Sequence, residues 1–492
     1  MSGPKRRVVV AGGGTAGWVA ATALVKQLGP LVDVTLVESD AIGTVGVGES
    51  TIPTTRSFHD LIGVDESAFV RATGATFKLG ISFENWLREG VRYFHPFGSI
   101  GRAMPLADFQ HFWLEARAQG HGGNFIDYSA EALAAAERRF SADADAGLAY
   151  AYHLDATAYA AFLRGLAEAA GARRVEGRIA EVDQDGDTGD IRALVLDDGR
   201  RIEGDLFIDC TGFRALLIGG ALKTGYEDWS GWLPTDSALA VQTEVVEPPV
   251  PFTRATAHRA GWRWRIPLQR RVGNGLVYAS AEMAEEEARA LLLGALDGAP
   301  LFDPRLIRFT TGMRRRMWNR NCVSLGLASG FIEPLESTSI HLVMIAVTHL
   351  LQSFPFGTET ETLADRYNTR ARAEWEDVRD FIILHYTLND RPEPFWRRAA
   401  TMDLPDSLTR RIRLFREHGM AHQDQDQLFR TDSWVQVMLG QGVMPTGHHR
   451  MPAAIPPGEL RTALESLSAG IRRRVSAVPP HHQFLSRYRQ AG

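Results

Sequence analysis

The stretch RRVVVAGGGTAGWVAATALVKQLG, beginning at Arg6, leaves few folds open. It reads as an apolar strand, a glycine turn and a helix in direct succession, and VDVTLVES then supplies a second strand. Gly12-x-Gly14-x-x-Gly17 occupies the turn. Those glycines permit a tight turn, close approach of a pyrophosphate and close packing of the helix. The helix start, with Thr15 and Ala16, presents oriented N–H groups to the phosphates. Glu38 closes the second strand, 21 residues after Gly17. An acid there suits a ribose hydroxyl and disfavours a 2′-phosphate. A lone GxGxxG is an incidental turn often enough; strand, helix and acid together make it a dinucleotide site.

The motif alone does not choose NAD over FAD. Two later features favour FAD. GVGES (Gly46–Ser50) is a second glycine loop, which makes Gly48, Glu49 and Ser50 candidate cofactor residues. DLFIDCTGF ends a late strand that could return to the same site. Two-dinucleotide-fold flavoproteins are built this way. Ile179 reads either as an adenine contact or as plain sheet core. Between these landmarks, alternating apolar residues with DDGR and QDGD turns predict a meander, and residues 237–282 are β-rich. From about residue 340 the pattern is mostly helical. The expected fold is α/β, a two-dinucleotide-binding flavoprotein core over 1–355 with a mainly helical substrate-side lobe over 356–492.

Composition narrows the partners. A net charge of −5 gives no reason to expect nucleic acid or an anionic membrane. The longest apolar helix candidate, IHLVMIAVTHLLQSF, is shorter than a membrane span and carries two histidines. The N-terminal apolar run is too short for a secretory signal. Two cysteines, Cys210 and Cys322, lie in apolar runs and read as buried thiols of a reducing compartment. A cytoplasmic protein without metal ligands is expected.

Two further stretches stand out. Lysine is scarce here, four residues against 50 arginines, yet Lys78 sits inside TFKLGISF, which otherwise reads as buried strand. Arginine would supply charge but no nucleophilic primary amine. The plainer reading is an ion-paired or surface lysine. In GFIEPLESTSIHLVMIAVTHLL, apolar spacing predicts a helix from Ile340, with Ser337 and Thr338 where capping residues belong. Its first-turn N–H groups form an anion site. Glu336 reads equally well as a dipole complement.

These pieces together resemble the flavin-dependent halogenases typified by tryptophan halogenases. The likeness is carried by GGGTAG with GVGESTIP, the lysine of TFKLGISF, the W-x-W-x-I-P pattern at Trp262–Pro267, and FIEPLESTSIH; HYTLNDRPEPFW is also similar. The resemblance implies that reduced FAD and O2 convert halide into hypohalous acid, which travels to a substrate held away from the flavin. It implies that Lys78 meets that acid, as a haloamine or by hydrogen bonding, and that a desolvated site favours the amine form this requires. Glu336 would polarise the electrophile or accept the ring proton. Thr338 and Ser339 would bind halide, Ile340 would border the flavin, and Trp262 and Trp264 would partition flavin from substrate. His95 and Phe97, in YFHPFG, would sandwich the ring; a structural turn is the alternative.

Two departures bear on specificity. Tryptophan-specific members have glycine where Ser339 stands here, which leaves chloride and bromide both open. The tyrosine pair and glutamate that clamp the amino acid are replaced by DSWVQVMLGQGVMPTGHHR. The expected substrate is therefore an indole or another electron-rich arene. The resemblance also implies a separate flavin reductase as partner; homodimers are common in such families. A flavin monooxygenase and a non-catalytic flavin-binding protein are the competing readings. W-x-W-x-I-P with Lys78 argues against the first, and the intact Lys78/Glu336 pair against the second.

Overall fold

The computed structural model describes residues 5–42, 48–357, 360–424 and 427–489. The chain forms two compact units, each assembled from three stretches. The first comprises Met1–Ala75, Leu154–Asp236 and Arg308–Glu376; the second comprises Thr76–His153, Ser237–Ile307 and Asp377–Gly492. The boundary expected near residue 355 falls inside the last stretch of the first unit.

The first unit is built on a sheet whose central strand, Arg6–Ala11, pairs in parallel with Val32–Glu38 on one side and Leu206–Asp209 on the other. Arg173–Glu176 and Cys322–Ser324 extend it in parallel, and Trp318–Asn319 closes one edge antiparallel. Val8, Val9, Val10 and Ala11 are all buried. That continuous apolar run is what a parallel strand covered on both faces requires. The helix Thr15–Leu28 follows the glycine turn and packs against the helices Ala156–Ala169 and Ser339–Gln352. Thr22 Oγ1 donates to the carbonyl of Leu163 across the first contact, at 3.2 Å. The expected meander is present as three antiparallel strands, Ile179–Gln184, Ile191–Leu196 and Arg201–Glu203. Its apolar side shares a core with the parallel sheet through Leu194, Leu196, Val9 and Phe207. Fully burying a side chain such as Phe207 stabilises the fold by roughly 1.5–3 kcal/mol.

The second unit is dominated by a seven-stranded sheet. Six of its strands run in the order Ser237–Thr243, Val272–Tyr278, Gly261–Pro267, Thr253–His258, Gly80–Glu84 and Arg92–Pro96. Val272–Tyr278 is buried along its whole length, consistent with a central strand covered on both faces. A separate short strand, Thr76–Lys78, pairs antiparallel with Ala151–Asp155. The C-terminal region is helical as expected, with helices Asp406–His418, Thr431–Gly440 and Pro457–Ser476. Pro405 and Pro456 immediately precede two of them, where a residue that cannot continue a helix backwards is well placed. Among the described residues no helix is long and apolar enough to cross a membrane.

Candidate active site

In the first unit the glycine turn has the geometry of a phosphate cradle. Gly12 has φ +105°, and a Cβ there would stand 2.3 Å from the carbonyl oxygen of Cys210. A Cβ on Gly17 would stand 1.9 Å from the carbonyl oxygen of Gly12, so the helix can begin this close to the turn only with glycine. Gly14 faces open space, with nothing within 4 Å of a built Cβ. No side chain caps the helix at Gly14, which leaves the first turn, with Thr15 and Ala16, to an outside acceptor. These features fit the pyrophosphate of a dinucleotide such as FAD.

Glu38 ends its strand as expected and reaches the turn; its Oε2 lies where a Cβ on Gly13 would go. Its Oε1 accepts from Arg174 Nε at 2.5 Å, and Arg164 lies 3.8 Å away. One carboxylate oxygen is therefore held by protein while the other faces the turn. Arg174 escaped the sequence reading because it lies 136 residues downstream, on the neighbouring parallel strand. Ile179 packs on the apolar cluster of the meander, the role a sheet-core residue would have.

Of GVGES, Gly46 and Val47 lie outside the described residues; Gly48–Ser50 is a short strand instead of open loop. Burial pushes the Glu49 carboxyl up to about 7, although the residue keeps some solvent contact. Two contacts tie this segment to FIEPLESTSIH. The Ser50 and Ser337 hydroxyls lie 2.7 Å apart, and Thr54 Oγ1 lies 2.9 Å from His341 Nδ1. Burial, with a second push from His349, drives the His341 imidazole down to about 4, so it is neutral at physiological pH.

The helix of that motif spans Ser339–Gln352, and no side chain caps it. Thr338 stands where capping was expected, but its backbone (φ −90°, ψ −9°) is already helical, whereas a capping residue is extended. The first-turn N–H groups at Ser339 and Ile340 are therefore not consumed by a cap. Ser337 has φ +62°, a left-handed conformation that favours glycine and is held here by the surrounding turn. Glu336, Ser337, Thr338 and Ile340 are all buried.

In the second unit Lys78 is 0 % exposed, which excludes the surface-lysine reading. Its Nζ lies over the Phe97 ring, 5.1 Å from the centroid. Phe97 is placed by its N–H, which donates to the carbonyl of Leu79 at 2.8 Å. His95, also buried, stands two residues earlier, with its ring 5.5 Å from that of Phe381. Thr76 Oγ1 and Thr253 Oγ1 bracket the buried His153 ring, at 3.0 Å from Nδ1 and 2.9 Å from Nε2. Burial, then the nearby Lys78 charge, hold His153 well below its ordinary range. His481 Nδ1 donates to the carbonyl of Pro249, and its Nε2 accepts from the N–H of Phe77. Neither histidine carried a local signal in the sequence.

Trp262 and Trp264 lie on one face of Gly261–Pro267, with ring centroids 6.0 Å apart. Trp264 occupies the space over Gly275 on the adjacent strand, where a Cβ would fall 2.0 Å from the ring.

The tryptophan halogenase family model matches residues 7–457. The chain is 33% identical to the tryptophan 7-halogenase RebH of Lentzea aerocolonigenes, covering 99% of both chains. Among solved structures, a flavin-dependent halogenase from Xanthomonas campestris is 53% identical with a TM-score of 0.97, covering 98% of both chains. BrvH, a flavin-dependent halogenase from a Brevundimonas species, is 42% identical with a TM-score of 0.94, covering 99% of both. The chain belongs to the tryptophan halogenase family. It is thus a flavin-dependent halogenase, an oxidoreductase, and its uncapped glycine turn suits the flavin nucleotide on which that family depends.

Proposed function

We propose that this halogenase uses FADH2, O2 and bromide or chloride to halogenate an indole-like or other electron-rich arene. The observation that carries the reading is Lys78: a fully buried primary amine, 5.1 Å from the centroid of an aromatic ring. Bound reduced FAD would supply, with O2, the oxidising equivalents that turn halide into hypohalous acid.

The chain's own residues do the rest. Gly12, Gly14, Thr15, Ala16 and Gly17 receive the pyrophosphate, Glu38 accepts from a ribose hydroxyl, and Gly48–Ser50 and Ile340 border the cofactor. The N–H groups of Thr338 and Ser339 hold halide at the helix start. The amine of Lys78 either exchanges an N–H for an N–halogen bond with release of water, or donates a hydrogen bond to the hypohalous acid. A ring carbon then takes the halogen, and Glu336 accepts the proton that leaves it. The net change is arene C–H plus hypohalous acid to C–halogen plus water. His95 and Phe97 hold the ring, and Trp262 and Trp264 keep it from direct contact with the flavin. A separate flavin reductase delivers FADH2.

The test feeds indole and tryptophan in parallel, with reductase, NADH, FAD and O2. Bromide and chloride are supplied separately, and products are read by mass spectrometry. A halogen isotope doublet on indole, lost in Lys78→Ala, is expected. A doublet on tryptophan alone would overturn the substrate class; an oxygen adduct without halogen would overturn the reaction.

A further inference from the structure

The second unit contains an open cavity of about 820 Å³ whose wall includes none of Lys78, His95, Phe97, Trp262 or Trp264, although Gln436, Leu439, Gly440 and Met444 come from the stretch that replaces the amino-acid clamp. Its size lies within the range of small-molecule sites, roughly 300–1,000 Å³. Five arginines stand in its wall, Arg92, Arg117, Arg138, Arg254 and Arg472, against one acid, Asp127. Such a concentration of one sign is unexpected in a chain whose net charge is −5.

Part of this charge is compensated. Glu84 serves both Arg254, at 3.2 Å, and Arg92, at 3.9 Å, and Arg138 pairs with Glu247 at 3.3 Å. Among the described residues no carboxylate pairs with Arg117 or Arg472, and both are exposed. Asp127 is engaged locally, where it accepts from the backbone N–H of Asn124. The wall is also aromatic. The guanidinium of Arg117 lies over Trp113 and that of Arg92 over Phe252, each 5.7 Å from the ring centroid. Trp113 and Phe125 meet edge to face, with centroids 5.3 Å apart. Arg92 Nε donates to Ser82 Oγ at 2.7 Å, so of these two stacked groups Arg117 is the one whose in-plane donors an anion can take. Strand alternation puts Arg92 and Phe94 on the side of their strand opposite His95.

An ordinary solvated basic surface would not interleave its arginines with buried aromatic rings around a concavity. We propose that this cleft is a second binding site, specific for an aromatic anion. The planar ring packs on Phe94, the half-buried aromatic of the wall, and a phosphate, sulfonate or carboxylate is held by Arg117 and Arg472. The assignment does not rest on the halogenation reading, because binding is read directly.

Full-length protein saturated with FAD is titrated calorimetrically with 1-naphthyl phosphate, 1-naphthol and inorganic phosphate. The aryl phosphate should bind at least about ten-fold more tightly than either fragment and weaken in high salt. The double variant Arg117→Ala/Arg472→Ala should lose about ten-fold or more in affinity, while FAD binding and indole halogenation stay unchanged. Arg461→Ala, an exposed arginine outside the cleft, should bind as the parent does. Equal binding of 1-naphthol would reduce the site to a greasy surface, and equal binding of inorganic phosphate to a plain anion site. Either result overturns the proposal, as does full affinity in the double variant.

Discussion

In the first unit the candidate site is made largely of backbone. Gly12, Gly14 and Gly17 shape a turn, and two helix starts, at Thr15 and Ser339, present N–H groups without a side-chain cap. In the second unit the site is made of side chains from distant stretches. Lys78 and Phe77 come from one strand, His153 from its partner, Phe97 from another segment and His481 from the helix His481–Arg489. A backbone site needs particular letters at fixed local spacing. A side-chain site needs strands in register and a core that closes around them. Damage should therefore separate the two: substitutions in the second unit should silence chemistry and spare flavin affinity, and those in the glycine turn should do the reverse.

Lys78→Ala is the largest expected effect. Halogenation should fall by at least on the order of 10³-fold while FAD affinity, followed by flavin fluorescence, stays within about two-fold. Loss of FAD affinity in this variant would break the comparison. Gly17→Ala comes next. Its Cβ would meet the carbonyl of Gly12 at 1.9 Å, and overpacking of this kind costs roughly 1–3 kcal/mol. FAD should bind about 5- to 150-fold more weakly, and saturating FAD should restore turnover.

His481 offers a pH test within the second unit. Burial pushes its imidazole down to about 4, so the unfolded chain takes up its proton near 6.5 while the folded chain does not. Stability from the neutral ring is present above that range and is lost as pH falls from about 6.5 toward 4, by up to about 1.4 kcal/mol per pH unit. The gap in urea stability between the parent and His481→Gln should narrow from pH 7 to pH 5. A gap independent of pH would show that this ring is not held neutral. The smallest effect belongs to Ser50→Ala. It removes the 2.7 Å contact with Ser337 and should cost about 1 kcal/mol in stability, with a weaker halide dependence of turnover. An unchanged halide dependence would separate the GES segment from the halide helix.

The same contrast governs what could be read from the letters. The glycine turn, the second strand with Glu38 and the helix after EST were legible because each is a short-range pattern with its own physics. Lys78 was legible as an anomaly in an apolar run, but its complete burial, against the plainer reading of a surface or ion-paired lysine, is set by the packing around it. Thr338 shows the limit of the local rule. It sits at the capping position and does not cap, because the turn through Ser337 delivers it in a helical conformation. Arg174 beside Glu38, the Thr76–His153–Thr253 series and His481 beneath Phe77 were invisible for another reason. Each partner is set by sheet register or long-range packing, and nothing in the neighbouring residues announces it. The arginine-lined cleft is the extreme case, since its wall is gathered from many separated segments.

Gly275 gives W-x-W-x-I-P a meaning beyond its own strand. The second tryptophan exists in its observed pose only because the residue facing it across the sheet has no side chain. The signature is thus a sentence completed on another line: the bulky letter is written on one strand and the blank that admits it on the next. A protein carrying the six letters with a larger residue opposite the second tryptophan would spell the motif and be unable to pronounce it.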